Sequence, residues 1–127
     1  MKFKSWKTFK KAWIKALRSG EYRQCAGRLV NDNDEFCCLG VAANLLIKDG
    51  STKGKWIEND GLGWAFGRSL NNHSRDCLTS SNSCPAWLYE VLDNEGGDTF
   101  NVEERLMNLN DDGKSFKSIA DWIEAYL

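Results

Sequence analysis

Leu109-Asn110-Asp111-Asp112-Gly113-Lys114-Ser115-Phe116, continued by Ile119-Ala120-Asp121-Trp122-Ile123-Glu124, decides the C-terminal half of the fold. Asp112-Gly113 reads as a turn between two helices, and Ser115 as the cap of the second. Phe116, Ile119, Ala120, Ile123 and Leu127 give that helix one apolar face. Upstream, Asn101-Val102-Glu103-Glu104 is an N-cap followed three residues later by glutamate, so a helix starts there and runs to about Leu109. Pro85 at a first helical position, with Trp87, Leu88, Val91 and Leu92, predicts another helix that stops by Gly96-Gly97.

A second block, Ala16-Leu17-Arg18-Ser19-Gly20-Glu21-Tyr22 leading into Phe36-Cys37-Cys38-Leu39-Gly40-Val41, organises the N-terminal half. Trp6, Phe9, Trp13, Ile14 and Leu17 form one apolar stripe, which predicts a helix over residues 5–19 with Ser5 as N-cap and Gly20 as its stop. Lys4, Lys7, Lys11, Lys15 and Arg18 occupy the opposite face; lysines in the first turn oppose the helix dipole, so this helix needs tertiary packing. Extended segments near residues 24–30 and 35–38, joined by the turn formers Asn31-Asp32-Asn33-Asp34, predict a β-hairpin. Residues 39–48 read as a buried helix ended by Asp49-Gly50. Residues 50–84 are rich in Gly, Ser and Asn yet hold Trp56, Ile57, Leu62, Trp64, Phe66 and Leu70, which suggests short strands and ordered loops. The sum is an α+β fold, a single domain over residues 1–127, with about five helices packed around a small antiparallel hairpin or sheet.

At 127 residues, with six Trp and six Phe, the chain has enough apolar surface to fold without staples. The formal net charge of −1 hides a polarity: seven Lys or Arg and no acid in residues 1–20, against ten acids and three bases in residues 90–127. Such a distribution lets the two ends of a fold lie against each other. Lysines interrupt every N-terminal apolar run, so no signal peptide is expected, and no run is long enough for a membrane span. The five cysteines, an odd number without an export signal, point to reduced thiols in a cytosol.

Residues with chemical potential each have a plainer reading. Cys37 or Cys38 with His73 would make a nucleophile and base, but Phe36 and Leu39 flank the pair and favour burial. His73, Cys77 and Cys84, with Cys25 or Cys37, match no common zinc spacing. The Asn31–Asp34 run resembles the opening of a calcium loop, yet Phe36 and Ala42 stand where Gly and Glu are required. Asp111-Asp112 and Asp32 with Asp34 suit turns as well as metal or acid–base work. Gly61-Leu62-Gly63 and Gly96-Gly97 lack the Lys or third Gly of phosphate loops. No catalytic, metal or cofactor residue is assigned.

The two blocks, together with Gln24 and Gly27, are similar to those of a family of small proteins encoded by tailed bacteriophages. The resemblance spans about residues 13–127 and is weakest over 50–100. It implies an accessory protein acting in the host cytosol, and it transfers no catalytic or ligand residue. At the level of that class, the resemblance implies a protein that binds and disables a host factor or captures a defence signal. The leading expectation is therefore a non-enzymatic, counter-defence binder of a host protein or of a small anionic nucleotide. In the nucleotide form, Arg18, Arg23 or Arg28 would hold phosphate, and Tyr22 or Trp64 would stack on a base. Alternatives are a nucleic-acid binder using the basic first helix and a small Cys/His or metal-dependent hydrolase. An exposed face bearing Trp56, Trp64 or Trp87 would support a homo-oligomer.

Overall fold

The computed structural model describes residues 3–58, 63–69, 72–81, 83–94 and 101–127. Gly61, Leu62, Leu70, Gly96 and Gly97, on which the sequence placed loops, apolar positions and a helix stop, lie outside the described residues.

Helix ends follow their local chemistry. Helix α1 (Trp6–Arg18) starts where the Ser5 hydroxyl accepts the Thr8 N–H, and Gly20 just beyond its end has a φ of 80°. Helix α2 (Cys38–Asp49) is capped by a thiol: Cys37 Sγ accepts the Gly40 N–H at 3.3 Å, and Gly50 closes the helix in the left-handed region. Helix α3 (Ala86–Leu92) begins one residue later than expected, with Pro85 itself at the cap, and ends at Asp93. Asn101 caps helix α4 (Val102–Asp111), which runs two residues past Leu109. Ser115 caps helix α5 (Phe116–Tyr126) by accepting the Ser118 N–H.

The fold class is α+β. The five helices share a core with one antiparallel sheet of order β1 (Lys55–Glu58), β2 (Trp64–Ser69), β3 (Asn72–Ser74). Phe9 and Trp13 of α1, Leu39 and Leu46 of α2, Leu88 and Leu92 of α3, Leu106 of α4, and Ile119 and Ile123 of α5 are fully buried. Each such side chain contributes roughly 1.5–3 kcal/mol over its exposed state. The Trp13 indole N–H, buried with its ring, donates to the Cys38 carbonyl at 3.0 Å and joins α1 to α2. The charge polarity of the sequence is realised where α1 meets α5: the Arg18 guanidinium lies 2.6 Å from Asp121 and 3.3 Å from Glu124. Among the described residues, no helix is long and apolar enough to cross a membrane.

The hairpin expected over residues 24–38 is reduced to one antiparallel bridge, Val30 with Phe36, flanked by the Asn31 N–H on the Glu35 carbonyl and the Cys37 N–H on the Leu29 carbonyl, and the sheet is built entirely from residues 55–74. The reason is where the backbone groups go. Phe36 turns its own backbone groups to the start of the first arm: its N–H donates to the Arg23 carbonyl and its carbonyl accepts the Cys25 N–H. Leu29 instead reaches the Arg75 carbonyl and accepts the Cys37 N–H, while the Val30 carbonyl accepts the Trp64 N–H. Groups shared among three neighbours leave only isolated bridges. Two glycines permit these approaches. A Cβ on Gly40 would stand 1.9 Å from the Leu29 carbonyl oxygen, and one on Gly63, at φ 90°, would stand 2.3 Å from that of Val30.

One buried side chain unites both blocks. Asn110, 2% exposed, accepts the Gln24 side-chain amide at 2.9 Å and the Cys38 N–H at 3.1 Å through Oδ1, and donates through Nδ2 to the Cys25 carbonyl at 2.7 Å. Beside it, Asp111 accepts the Gly27 N–H at 3.0 Å, and Gln24 also donates to the Lys114 carbonyl. Replacing Asn110 by Ala strands these buried partners and should cost about 3 kcal/mol, read as a lower denaturation midpoint. Asn110→Asp should lose a similar amount, because a carboxylate then faces the Cys25 carbonyl. A loss below about 1 kcal/mol in both variants would show that neighbouring groups re-pair without it.

Candidate binding pocket

The sheet register builds the site. Trp56 pairs with Phe66 and Glu58 with Trp64, so by the two-residue period all four project from one face. Trp56 and Trp64 are diagonal neighbours on it. Phe36 packs against this face, 6.3 Å from Trp56 with the rings at 71°. The series continues from Trp56 to Phe66 at 6.0 Å and from Phe36 to Tyr22 at 5.0 Å, each edge to face. Asn44 of α2 locks it: its Nδ2 donates to the Tyr22 hydroxyl at 2.8 Å, and its Oδ1 accepts the Trp56 indole N–H at 3.1 Å. A cavity of about 230 Å³ opens between these groups, lined by Val30, Asp34, Phe36, Asn44, Trp56 and Trp64.

Asp34 is its one charged lining group. Among the described residues it is the one non-glycine with positive φ, 58°, a conformation that Asp tolerates better than most. The loop that carries it is folded on Asn31, whose Oδ1 accepts the Asn33 and Glu35 N–H groups at 3.0 Å and whose Nδ2 donates to Glu35 at 2.7 Å. The Asn31–Asp34 run thus forms an Asx-closed loop. The Asp34 carboxylate is exposed and makes no hydrogen bond or ion pair with a described residue.

The structure divides the residues singled out from sequence. Trp64 lines the pocket, and Tyr22 stands behind its Phe36 wall. Arg23 lies beside the loop, donating to the Asn33 carbonyl at 3.4 Å. Arg28 has an interaction of its own. Arg18 belongs elsewhere, in an open groove of about 550 Å³ lined by Lys11, Ile14, Lys15, Ser19 and Glu124 as well as itself. Lys7, Lys11 and Lys15 of α1, and Lys4 just before it, are exposed, while Phe9 and Trp13 of the helix's other face are buried. Trp56, Trp64 and Trp87 are half-buried against the core rather than forming an exposed face; Tyr89 and Tyr126 are the exposed large aromatics among the described residues. The sequence reading missed Phe36, Asn44, Trp56 and Asp34 as pocket residues. The alternation Trp56-x-Glu58 and Trp64-x-Phe66 was the available signal for a shared face. Nothing local marks Asn44.

The thiols are arranged for packing. Cys37 and Cys38 are buried, and burial pushes Cys37 up to about 12 and Cys38 well above its ordinary value near 9. Burial, reinforced by the Glu103 carboxylate, also raises Cys77 and Cys84 to about 12. His73 lies on β3 opposite Gly67, with Nδ1 buried and without a hydrogen-bond partner. Among the described residues, no three His, Cys, Asp or Glu side chains gather into a group able to hold a metal ion. A thiol that ionises in the unfolded chain near 9 but stays protonated in the folded chain makes unfolding release protons. Stability is therefore whole below about pH 9 and should decline toward pH 12, measurable as a falling Tm. At about pH 8 a maleimide should leave Cys37 and Cys38 unmodified until denaturant is added; rapid native labelling of either would contradict their packing.

Neither a curated protein nor a solved structure matches the chain. One family model does, over residues 6–127, and it takes in α1, both blocks, the sheet and the C-terminal helices. Its description is a domain of unknown function, and on the extent of that match this chain belongs to the DUF8296 family.

Proposed function

We propose that the chain is an accessory protein of a tailed bacteriophage that acts in the host cytosol as a non-enzymatic binder, countering a host factor by seating a group of its target in the Trp56–Trp64 pocket. The pocket itself carries this reading: a concave site with aromatic walls and few polar groups, held by a hydrogen-bonded frame, has the make-up of a recognition site. The state of the thiols supports binding over turnover, since burial holds Cys37 and Cys38 away from the thiolate form that nucleophilic catalysis needs. The phage setting and the cytosolic site of action rest on the resemblance of the two blocks.

Between a nucleotide sponge and a cover for a host protein, the arginines favour the cover. Arg18 is engaged with Asp121 and Glu124, Arg23 with a backbone carbonyl, and Arg28 with a partner of its own. The charge that lines the pocket is negative. A phosphate placed there would meet a carboxylate instead of a guanidinium fork.

The test is native mass spectrometry of the protein isolated from infected bacteria, with Trp64→Ala as control once its melting is shown to match the wild type. The wild type should carry a bound partner, protein or small molecule, that denaturation releases chemically intact, and the variant should not. Release of a chemically altered molecule, with steady turnover of the parent compound, would replace the binder with an enzyme. Equal loading of both proteins would move the site away from this pocket.

A further inference from the structure

The geometry points to an organic cation as the group this pocket takes, a methylated or quaternary ammonium head such as that of a choline-like metabolite or a methylated lysine side chain. The inference rests on the pocket being the binding site. Three observations carry it. First, the walls are the rings of Phe36, Trp56 and Trp64, and a cation is attracted to ring faces by the aromatic quadrupole. Second, two of the lining rings stand steeply to one another, Phe36 and Trp56 at 71°. A flat base can stack on only one member of such a pair, whereas a compact, near-spherical head can touch several at once.

Third, charge is complementary. Asp34 is without a described partner and lines the cavity, and Glu58, exposed, sits directly opposite Trp64 on the same sheet face. Lys55 is paired with Gly67 and belongs to the alternate face, and Arg68, two residues beyond Phe66, is exposed at the far end of β2 where the register shifts. Size agrees as well. About 230 Å³ is below the roughly 300–1,000 Å³ of sites that enclose a drug-sized ligand, so one small head enters and the remainder of the molecule stays outside. Asp34 holds its place on the rim in left-handed backbone, where most residues would be strained.

The test uses the full chain and follows Trp fluorescence together with the indole N–H resonances of Trp56 and Trp64. The probes are choline, a trimethyllysine peptide, the neutral choline isostere 3,3-dimethylbutanol, and adenosine monophosphate. Choline or the peptide should shift both indole signals, and the neutral isostere should bind roughly tenfold more weakly. Asp34→Asn, which preserves a side chain at ease with positive φ, should weaken cation binding several-fold while leaving the melting curve unchanged. Tighter binding of the peptide than of choline would identify the source as a protein side chain, and equal binding a free metabolite; both support the cation. An isostere that binds as well as choline, unchanged affinity in Asp34→Asn, or binding of the nucleotide without the cations would overturn the cation while keeping the pocket as a binding site. Silence of both indoles toward every probe, up to roughly 100 mM, would overturn this inference and the pocket assignment together.

Discussion

The structure depends on the buried amide of Asn110. It reaches three groups, at Gln24, Cys25 and Cys38, that lie 72 to 86 residues away in the chain. Two are backbone groups that no ladder or intrahelical bond satisfies, the first N–H of α2 and the Cys25 carbonyl of the irregular segment before it, and the third is the Gln24 side-chain amide. In a low-dielectric interior an unpaired donor or acceptor costs more than a made hydrogen bond returns, so such a hub specifies one arrangement of the two halves. Asp111 and the Lys114 carbonyl extend the same seam to Gly27 and Gln24. One sequence block thus holds the other in place.

Helix α4 repeats the device one heptad earlier. Glu103, 3% exposed, accepts the Leu78 and Thr79 N–H groups and the Thr79 hydroxyl, fixing the turn that follows β3. Positions 103 and 110 fall on one face of the helix by periodicity, alongside Leu106. A single helix face thus combines an apolar stripe with two polar anchors, each fully supplied with partners. This arrangement settles where the two least regular parts of the chain must lie, residues 24–37 on one side and residues 75–81 on the other.

The pocket is a consequence of that placement. Once residues 24–37 are held against α2, Phe36 comes to rest over the sheet, and the Val30 carbonyl draws in the start of β2 through Trp64. Asn44 then completes a frame that links α2, β1 and Tyr22. The site sits at the meeting of a loop, a helix and a sheet. The basic face of α1 lies apart from it, tied at its end to the acids of α5.

The ends of α1, α4 and α5 and the close of α2 were legible in the sequence because a cap and a turn act over three or four residues: Ser5, Asn101, Ser115 and Gly50 each do what their chemistry dictates. The apolar stripes of α1 and α5, and the opposition of a basic start to an acidic end, were equally local or additive properties. The expected hairpin shrank to a single bridge because alternation and turn formers propose a pairing but do not decide which carbonyl each N–H finds; Phe36, Leu29 and Val30 also found partners at Arg23, Arg75 and Trp64. Of the site, only Trp64 and its support Tyr22 were named from sequence, for their aromatic character. Phe36, Asn44, Trp56 and Asp34 became one pocket only when residues up to 22 positions apart were brought together. The sequence by itself determined where helices begin, end and turn an apolar face inward, since those depend on neighbours along the chain. The tertiary structure alone decided which loop covers the sheet and which side chains share a cavity, since those depend on buried polar groups finding partners far away in sequence.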